Sequence, residues 1–302
     1  MKLAESESKI ETLPRKLIDF EDFHKVDAAV ICIGNPELWS HNIRYAKSSL
    51  SEPRIDHYNF IKQSKTEDQI ELVEKVDLAS IGLHHSNKII LIGDGQGEYK
   101  EILNRFTDLS KKYLLEQNRE ITIQTVIQKI QKNEIHYYDC LGTNCDIVSL
   151  NQNIDEIKPQ AIFVCCIDPR FIMQTIDYIE EIKRKNYISN SVLLTYPGSI
   201  LCGLKDKSHY LNRYIKEIVE GHNVEQLFFI NHEACGGYRE ITKLHGWLQV
   251  LQQQKDLNDM EKYYLQELLP AQKNLRIEKI QMKIDSLDKA TNKGKLYFEI
   301  VK

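Results

Sequence analysis

Two short segments of the chain combine the residue types that bind and activate metals. Cys166, Asp168 and Arg170 alternate in the segment CIDPR, and His232 and Cys235 frame the segment HEAC, which two glycines follow. Two thiolates and one imidazole suit Zn²⁺, and three protein ligands leave a fourth position for water or a carboxylate. Zinc lowers the pKa of a bound water to near neutrality and so makes hydroxide available as a nucleophile. The segments therefore predict a mononuclear zinc site that activates water.

The elements around these segments follow a strand–helix rhythm that brings them together. The run AIFVCCI is continuously apolar, which is typical of a strand buried on both faces of a parallel sheet. The predicted elements are a strand at 161–167, a helix at 171–185, a strand at 191–197, a helix at 208–222 closed by Gly221, and a strand at 224–231. Parallel strands bind ligands at their carboxyl ends. Cys166 and His232 each end a strand, so we expect them to meet.

Other residues near the candidate site have plainer interpretations. Cys165 precedes Cys166, and strand alternation points it to the opposite face, into the core. Cys202, beyond the loop that contains Gly198, is a weaker ligand candidate. The stretch 238–290 is rich in Gln, Lys and Leu, and it predicts an outer helical layer or a partner surface. For its glutamine-rich part, a solvated helix packed on the sheet is the favoured interpretation.

The chain also contains an internal repeat. KIILIGDGQGEYKEI at 88–102 aligns with LFFINHEACGGYREI at 227–241, and AAVICIGNPELW at 28–39 aligns with AIFVCCIDPRFI at 161–172. The segments EIHYYDC and KLYFEIV, near the ends of the two halves, align as well. The sequence therefore predicts an N-terminal extension at 1–25, a first unit at 26–150 and a homologous second unit at 158–302. Each unit is expected to be a mainly parallel sheet flanked by helices.

The first unit lacks the ligands of the second. The alignment places Ile33, Gly93 and Gln96 at the three ligand positions, and none of them is a good zinc ligand. Glu37 replaces the arginine of the second unit. The glycines at 93, 95 and 97 resemble a phosphate-binding turn, but their spacing is not the full dinucleotide fingerprint. A decayed metal loop is the favoured interpretation.

Composition excludes several classes of function. The 302 residues carry a formal charge of -4, with 42% apolar and 28% charged residues, so a basic nucleic-acid interface is not expected. No apolar run approaches the roughly 20 residues needed to span a bilayer, and the polar start does not resemble a signal peptide. We therefore expect a cytoplasmic protein without nucleic-acid or membrane partners. Its seven cysteines are then thiols or metal ligands.

The motifs Cys-x-Asp-x-Arg and His-x-x-Cys-Gly-Gly resemble those of the β-class carbonic anhydrases. This resemblance implies one Zn²⁺ per chain, held by Cys166, His232 and Cys235. It implies that Asp168 and Arg170 form a catalytic dyad, or that Asp168 itself is a fourth ligand. The implied activity is reversible hydration of CO₂ to bicarbonate by a zinc-bound hydroxide. Since such enzymes pair their subunits, a tandem fusion would form an intrachain pseudo-dimer, which could assemble further into a homo-oligomer.

The sequence departs from that family at two places near the site. Pro169 replaces the serine that is common between the aspartate and the arginine. The loop that often reads Asn-Ala-Gly-Asn is here Tyr196-Pro197-Gly198-Ser199. Two alternatives to CO₂ hydration therefore stay open. One is a catalytically silent zinc-binding regulatory or interaction protein on the same fold, and the other is hydrolysis of a small CO₂ analogue.

Overall fold

The structure is a computed structural model, and it divides the chain into two compact units. It describes residues 10–11, 15–16, 27–34, 38–48, 55–60, 86, 88–94, 101, 103–105, 107–108, 111–112, 122–131, 134–139, 145–149, 159–166, 168, 170–196, 198–288 and 293–301. The N-terminal unit comprises Asp22–Pro159 with Val192–Thr195, and the C-terminal unit comprises Met1–Glu21, Gln160–Ser191 and Tyr196–Lys302.

The N-terminal unit contains a six-stranded sheet in the order β4-β3-β5-β6-β7-β8. Its strands are β3 (Ala28–Ile33), β4 (Ile55–Phe60), β5 (Lys88–Asp94), β6 (Thr122–Gln131), β7 (Glu134–Asp139) and β8 (Cys145–Ser149). The first four strands in this order, β4, β3, β5 and β6, are parallel to one another. Strand β7 pairs antiparallel with β6, and β8 pairs antiparallel with β7. Strand β3 is buried at every residue, as its continuous apolar sequence predicts.

The second sheet has the order β1-β13-β12-β11-β9-β10, with β2 also paired to β13, and it belongs to the C-terminal unit apart from Val192–Thr195 of β10. Its strands are β1 (Ile10–Glu11), β2 (Arg15–Lys16), β9 (Ala161–Cys166), β10 (Ser191–Tyr196), β11 (Gln226–His232), β12 (Arg276–Asp288) and β13 (Lys293–Ile300). Strands β9, β11 and β12 pair in parallel, whereas β13 is antiparallel to its partners. Two mainly parallel sheets in a mixed α/β chain are therefore confirmed.

Helices follow the strands in both units. They are α1 (Trp39–Ser48) in the N-terminal unit, and α2 (Ile172–Lys185), α3 (Leu201–Lys205), α4 (Tyr210–His222), α5 (Gly236–Thr242), α6 (Gly246–Tyr263) and a π-helical turn (Tyr264–Leu268) in the C-terminal unit. Aromatic stacking fills the C-terminal core, with ring centroids 4.5 Å apart for Phe163 and Phe228. No helix in the described part of the chain is long and apolar enough to cross a membrane.

The structure corrects the prediction that residues 238–290 are helical. Helical structure ends at Leu268, and Arg276–Asp288 form strand β12. The prediction rested on a composition rich in Gln, Lys and Leu, and the apolar spacing of Ile277, Ile280 and Ile284 is also compatible with a helix face. Pairing with β11 on one side and β13 on the other decides the matter in favour of a strand.

The end of helix α4 also differs from the prediction. The helix continues past Gly221 to His222, and the C-cap is Asn223, whose φ is 53°. Asparagine adopts this left-handed conformation more readily than most residues, because its short polar side chain can hydrogen-bond locally. The residue that ends the helix is therefore Asn223, two positions after the predicted one.

Strand pairing shifts the alignment of the two units by one residue. Strands β5 and β11 each have seven residues, and the first residue of each pairs with the first residue of the following strand. When the sheets are matched in this way, Asp94 takes the place of His232, where the sequence alignment puts Gly93. The predicted third position, Gln96, moves likewise to Gly97, which lies outside the described residues. The corrected positions still do not reproduce the cysteine–histidine–cysteine set.

Candidate metal centre

Two adjacent parallel strands carry two of the predicted ligands at their carboxyl ends. Cys166 is the last residue of β9 and His232 is the last residue of β11, and these strands are hydrogen-bonded neighbours. The third, Cys235, lies three residues after His232 and is the N-cap of α5. The sheet topology therefore brings together residues that are far apart in sequence, at the edge where parallel sheets bind ligands.

The chain between the second and third candidate ligands makes a tight turn. Ala234 adopts a left-handed φ of 54°, and Cys235 returns to an extended conformation with φ -66° and ψ 116°. The Cys235 Sγ then accepts a hydrogen bond from the backbone N–H of Tyr238 at 3.5 Å. Helix α5 can therefore begin directly after the cysteine, with the N–H of Tyr238 capped by the sulfur.

The donor atoms lie at separations that suit one metal ion. The Sγ atoms of Cys166 and Cys235 and the imidazole of His232 all lie within 4.8 Å of one another, and all three residues are buried. The two sulfurs are 3.6 Å apart. Tetrahedral zinc with Zn–S bonds of about 2.3 Å places two sulfurs about 3.8 Å apart. The three residues therefore fit a zinc-sized ion without rearrangement of the strands.

The hydrogen bonds of His232 leave one ring nitrogen available as a ligand. Its Nδ1 bonds the carbonyl oxygen of Glu233 at 2.8 Å, which requires the proton to be on Nδ1. Its Nε2 is buried and makes no hydrogen bond of ordinary geometry to any described residue, although the side chain of Cys166 and the Oδ2 of Asp168, at 3.8 Å, lie beside the ring. A buried nitrogen lone pair without a partner is costly, and ligation of a metal removes that cost. This orphaned atom is the strongest sign that the cluster binds a metal.

The two thiols affect each other's ionisation. The hydrogen bond with Cys235 lowers the pKa of Cys166 well below its usual range in spite of burial, and the neighbouring His232 side chain lowers it further. The same hydrogen bond and burial raise the pKa of Cys235. Cys166 is therefore the more acidic of the two thiols, and Cys235 keeps its proton more strongly. Release of that proton supplies the second thiolate that a metal requires.

Asp168 and Arg170 form a buried ion pair beside the cluster. Asp168 Oδ1 accepts the backbone N–H of Arg170 at 3.1 Å and its Nε at 2.9 Å, and Oδ2 accepts Nη2 at 2.6 Å. Burial raises the pKa of Asp168, but the charge and hydrogen bonds of Arg170 outweigh it and the pKa is lowered. The guanidinium also donates to the carbonyl oxygen of Ala234 at 2.6 Å. The pair is therefore joined to the turn that carries the ligands.

Asp168 lies close to the donor atoms while it remains bound to Arg170. Its Oδ2 is 3.8 Å from the Nε2 of His232. Both of its oxygens accept hydrogen bonds from Arg170. In this arrangement the carboxylate of Asp168 lies beside the three candidate ligands, and Arg170 holds it in place.

Sequence reasoning missed the apolar residues that enclose the site. The ring of Phe171 lies 4.5 Å from that of His232, and Leu201 and Tyr238 pack in one buried cluster with Cys166 and Cys235. Phe171 directly follows Arg170, which is a usable signal. Leu201 and Tyr238 carry no signal of their own, because apolar residues near helix starts are common.

The loop after β10 is only partly described. Gly198 has a φ of 70° and Ser199 has a φ of 57°. Ser199 donates its hydroxyl to the carbonyl oxygen of Val164 in β9 at 3.5 Å, which ties the loop to the strand that carries Cys166. Pro169 and Pro197 lie outside the described residues, and the side chain of Cys202 is not described either. The prediction that Cys202 is a weak ligand candidate therefore stays a prediction.

Comparison with known proteins gives a distant relative and no function. No protein-family model matches the chain. The chain is 23% identical over 167 residues to an uncharacterized protein of Rickettsia conorii, and the match covers 54% of this chain and 74% of that protein. An interpretation of the site must therefore come from its geometry and its chemistry.

Proposed function

We propose that the C-terminal unit binds one zinc ion through Cys166, His232 and Cys235 and catalyses the reversible hydration of CO₂ to bicarbonate. The observation that carries the proposal is the orphaned Nε2 of His232, which lies in one buried cluster with two sulfurs. The ion pair of Asp168 and Arg170 beside this cluster extends the proposal from binding to catalysis.

The donor set selects the metal and defines its contribution. Two cysteine sulfurs and one imidazole favour zinc over the harder cations, which prefer oxygen ligands. A bound zinc ion would supply a Lewis acid that lowers the pKa of water to about 7. The second ring nitrogen of His232 is held by the Glu233 carbonyl, and this bond fixes the tautomer that ligation needs.

Asp168 would orient the water that enters the site. Arg170 keeps the carboxylate ionised, so that it is only a hydrogen-bond acceptor. Each carboxylate oxygen has two lone pairs, and Arg170 leaves acceptor capacity on Oδ2, the oxygen nearest to His232. A hydrogen bond accepted there would aim a lone pair of the water oxygen towards CO₂. In the reverse direction the same acceptor would orient bicarbonate.

Arg170 would keep Asp168 away from the metal. The guanidinium holds both carboxylate oxygens and also the Ala234 carbonyl, which belongs to the ligand-bearing turn. Movement of Asp168 towards the sulfurs would break two charge-assisted hydrogen bonds in a buried environment. The fourth coordination position is therefore left to water or substrate.

A second candidate function is catalytically silent zinc binding. Burial favours it, since none of the five site residues is more than 7% exposed. Structural zinc sites are closed, whereas catalytic sites keep one position accessible. In this case zinc would stabilise the C-terminal unit, and the unit would act through binding to a partner.

One experiment separates the two functions. The zinc-loaded full chain and its Asp168→Asn variant are compared by stopped-flow CO₂ hydration across pH 6 to 9, with metal content measured on the same samples. Asparagine keeps the shape of the side chain but loses its charge, so we expect turnover to fall about 10- to 100-fold while zinc content stays at one per chain. Asp259→Asn, a change at an exposed acid on α6, is the control. One zinc per chain without turnover would establish the silent alternative.

A further inference from the structure

The ligand-bearing turn is held by side chains at every one of its carbonyl oxygens. The turn comprises four residues, His232 to Cys235. The donors are Gln253 Nε2 to the His232 carbonyl at 3.1 Å, His232 Nδ1 to the Glu233 carbonyl at 2.8 Å, Arg170 Nη2 to the Ala234 carbonyl at 2.6 Å, and Gln249 Nε2 to the Cys235 carbonyl at 2.7 Å. The first and last of these bonds are made to the backbone of two candidate ligands by residues of helix α6.

Gln249 and Gln253 belong to the glutamine-rich segment for which the sequence predicts a solvated helix. Gln249 and Gln253 are 2% and 1% exposed, whereas their neighbours Gln252 and Gln254 are only partly buried. A separation of four residues places both on one face of the helix, one turn apart. The Nε2 of Gln281 in β12 donates to Gln253 Oε1 at 3.1 Å and so fixes the orientation of that amide.

Packing alone does not explain two amides in this place. Transfer of an amide from water into an apolar interior is costly unless it is hydrogen-bonded, and an aliphatic side chain would fill the same volume without that cost. The bonds that compensate the cost go to His232 and Cys235, while the His232 side chain presents an orphaned nitrogen and the Cys235 side chain a sulfur. The amides therefore act on the geometry of the donor atoms.

We propose that Gln249 and Gln253 are positioning residues that set the separation of the Cys235 and His232 donor atoms before metal binds. This inference rests on the proposed zinc site, which it deepens. A turn held at both ends does not have to be ordered when the metal arrives. Outer partners of metal ligands typically change metal affinity about 10- to 100-fold when they are removed.

The test replaces each glutamine with a side chain of similar length that has no amide. Gln249→Met and Gln253→Met keep most of the packing and remove the donor. Zinc affinity is measured by competition with a chromophoric chelator, and the absorption spectrum of the Co²⁺-substituted full chain reports the ligand geometry. We expect zinc affinity to fall about 10- to 100-fold and the Co²⁺ spectrum to shift.

The matched control destabilises the same helical layer away from the turn. Tyr264, just beyond the end of α6, is buried and donates its hydroxyl to Asn212 at 2.8 Å. Tyr264→Phe removes this bond and leaves the glutamines in place, so zinc affinity and the Co²⁺ spectrum should match those of the unmodified chain. Loss of affinity in proportion to the loss of melting temperature in all three variants would overturn the proposal, as would unchanged affinity in both methionine variants.

A second readout keeps this inference separate from the proposed function. If the unmodified chain binds no zinc, the proposed function fails, and alkylation of Cys235 by iodoacetamide in the metal-free chain then tests the glutamines directly. A turn released by Gln249→Met or Gln253→Met should expose the sulfur more often, so labelling should be faster than in the unmodified chain and in Tyr264→Phe. Equal labelling rates in all four proteins would overturn the positioning role.

Discussion

Five strands follow the same order in the two sheets, β4-β3-β5-β6-β7 and β10-β9-β11-β12-β13, but the residues at the strand ends differ. In the C-terminal unit, the ends of β9 and β11 carry a thiol and an imidazole that face each other. In the N-terminal unit, β3 ends in Ile33, and buried polar side chains instead form a neutral network. Asn42 donates to Gln128 at 3.1 Å and accepts from the Tyr137 hydroxyl at 2.8 Å. Similar strand orders thus accompany a candidate metal site in one unit and a buried, neutral hydrogen-bond network in the other.

Three buried cysteines show how the surroundings of a thiol decide its pKa. Cys32 and Cys165 occupy the same position, one residue before the end of β3 and β9, and burial raises the pKa of both thiols. Cys166 is also buried, yet its hydrogen bond with Cys235 lowers its pKa. Burial therefore raises the pKa of a core thiol, whereas a second sulfur and an imidazole beside a buried thiol lower it, as a metal ligand would require.

Removal of a candidate ligand should have the largest effect, because it should abolish zinc binding in the C-terminal unit. Cys166→Ser and His232→Ala should reduce the zinc content of the purified chain from one per chain to near zero, because two remaining ligands cannot hold the ion. Cys32→Ala and Cys165→Ala, at core thiols, should leave zinc content unchanged. Elemental analysis measures both. Two zinc atoms in the unmodified chain, or one in Cys166→Ser, would contradict a single zinc site that is held by Cys166 in the C-terminal unit.

Removal of zinc should affect the two units unequally. A ligand present at about 1,000 times its dissociation constant stabilises the folded state by about 4 kcal/mol. Chelation should therefore speed hydrogen exchange at the amides of β11 and α5 and leave those of β3 and β5 nearly unchanged. Mass spectrometry of peptides from the exchanged full chain measures this contrast. An equal change in both sheets would refute a zinc site that belongs to the C-terminal unit alone.

The neutral network of the N-terminal unit should matter for stability and not for metal. Tyr137→Phe removes the donor to Asn42 and leaves a buried acceptor without its partner, at a cost of about 1 to 3 kcal/mol. Chemical denaturation measures the loss, and zinc content should remain at one per chain. Reduced zinc content in this variant would contradict the assignment of the network to structure.

The smallest expected effects are changes in the free energy of unfolding at two glycines of the C-terminal unit, Gly198 and Gly221. Gly198 has a φ of 70°, so Gly198→Ala should cost about 1 to 2 kcal/mol of unfolding free energy. Gly221 lies in the last turn of α4, where an added Cβ meets nothing within 4 Å. Gly221→Ala should therefore stabilise the chain by about 0.5 to 1 kcal/mol. Denaturant titrations that give both changes the same sign would contradict this account of the loop.

The convergence of the candidate ligands was predictable because it depends on topology. AIFVCC is a continuous apolar run, so it indicates a buried parallel strand, and the carboxyl ends of neighbouring parallel strands meet. That argument places Cys166 beside His232 without any knowledge of side-chain geometry. The one-residue shift from Gly93 to Asp94 was not predictable, because the glycine-rich alignment fits almost as well one position away and only strand pairing decides between the two.

The contribution of helix α6 could not be predicted from the sequence. Gln249 and Gln253 bond to backbone carbonyls, and a backbone carbonyl is the same at every position, so the sequence contains no matching partner to search for. Strand β12 was missed for a related reason. The apolar spacing of Ile277, Ile280 and Ile284 is compatible with a helix until the neighbouring strands are known.

The pairing of β1 with β13 has a consequence for how the chain folds during synthesis. Ile10 lies opposite Phe298, so two residues separated by nearly the whole chain are neighbours in one sheet. The strands of the N-terminal sheet are all synthesised by Ser149, whereas the outer edge of the other sheet cannot close until β13 has left the ribosome. Contacts of such long range are slow to form. The sheet that carries the candidate metal ligands is therefore the last to be completed.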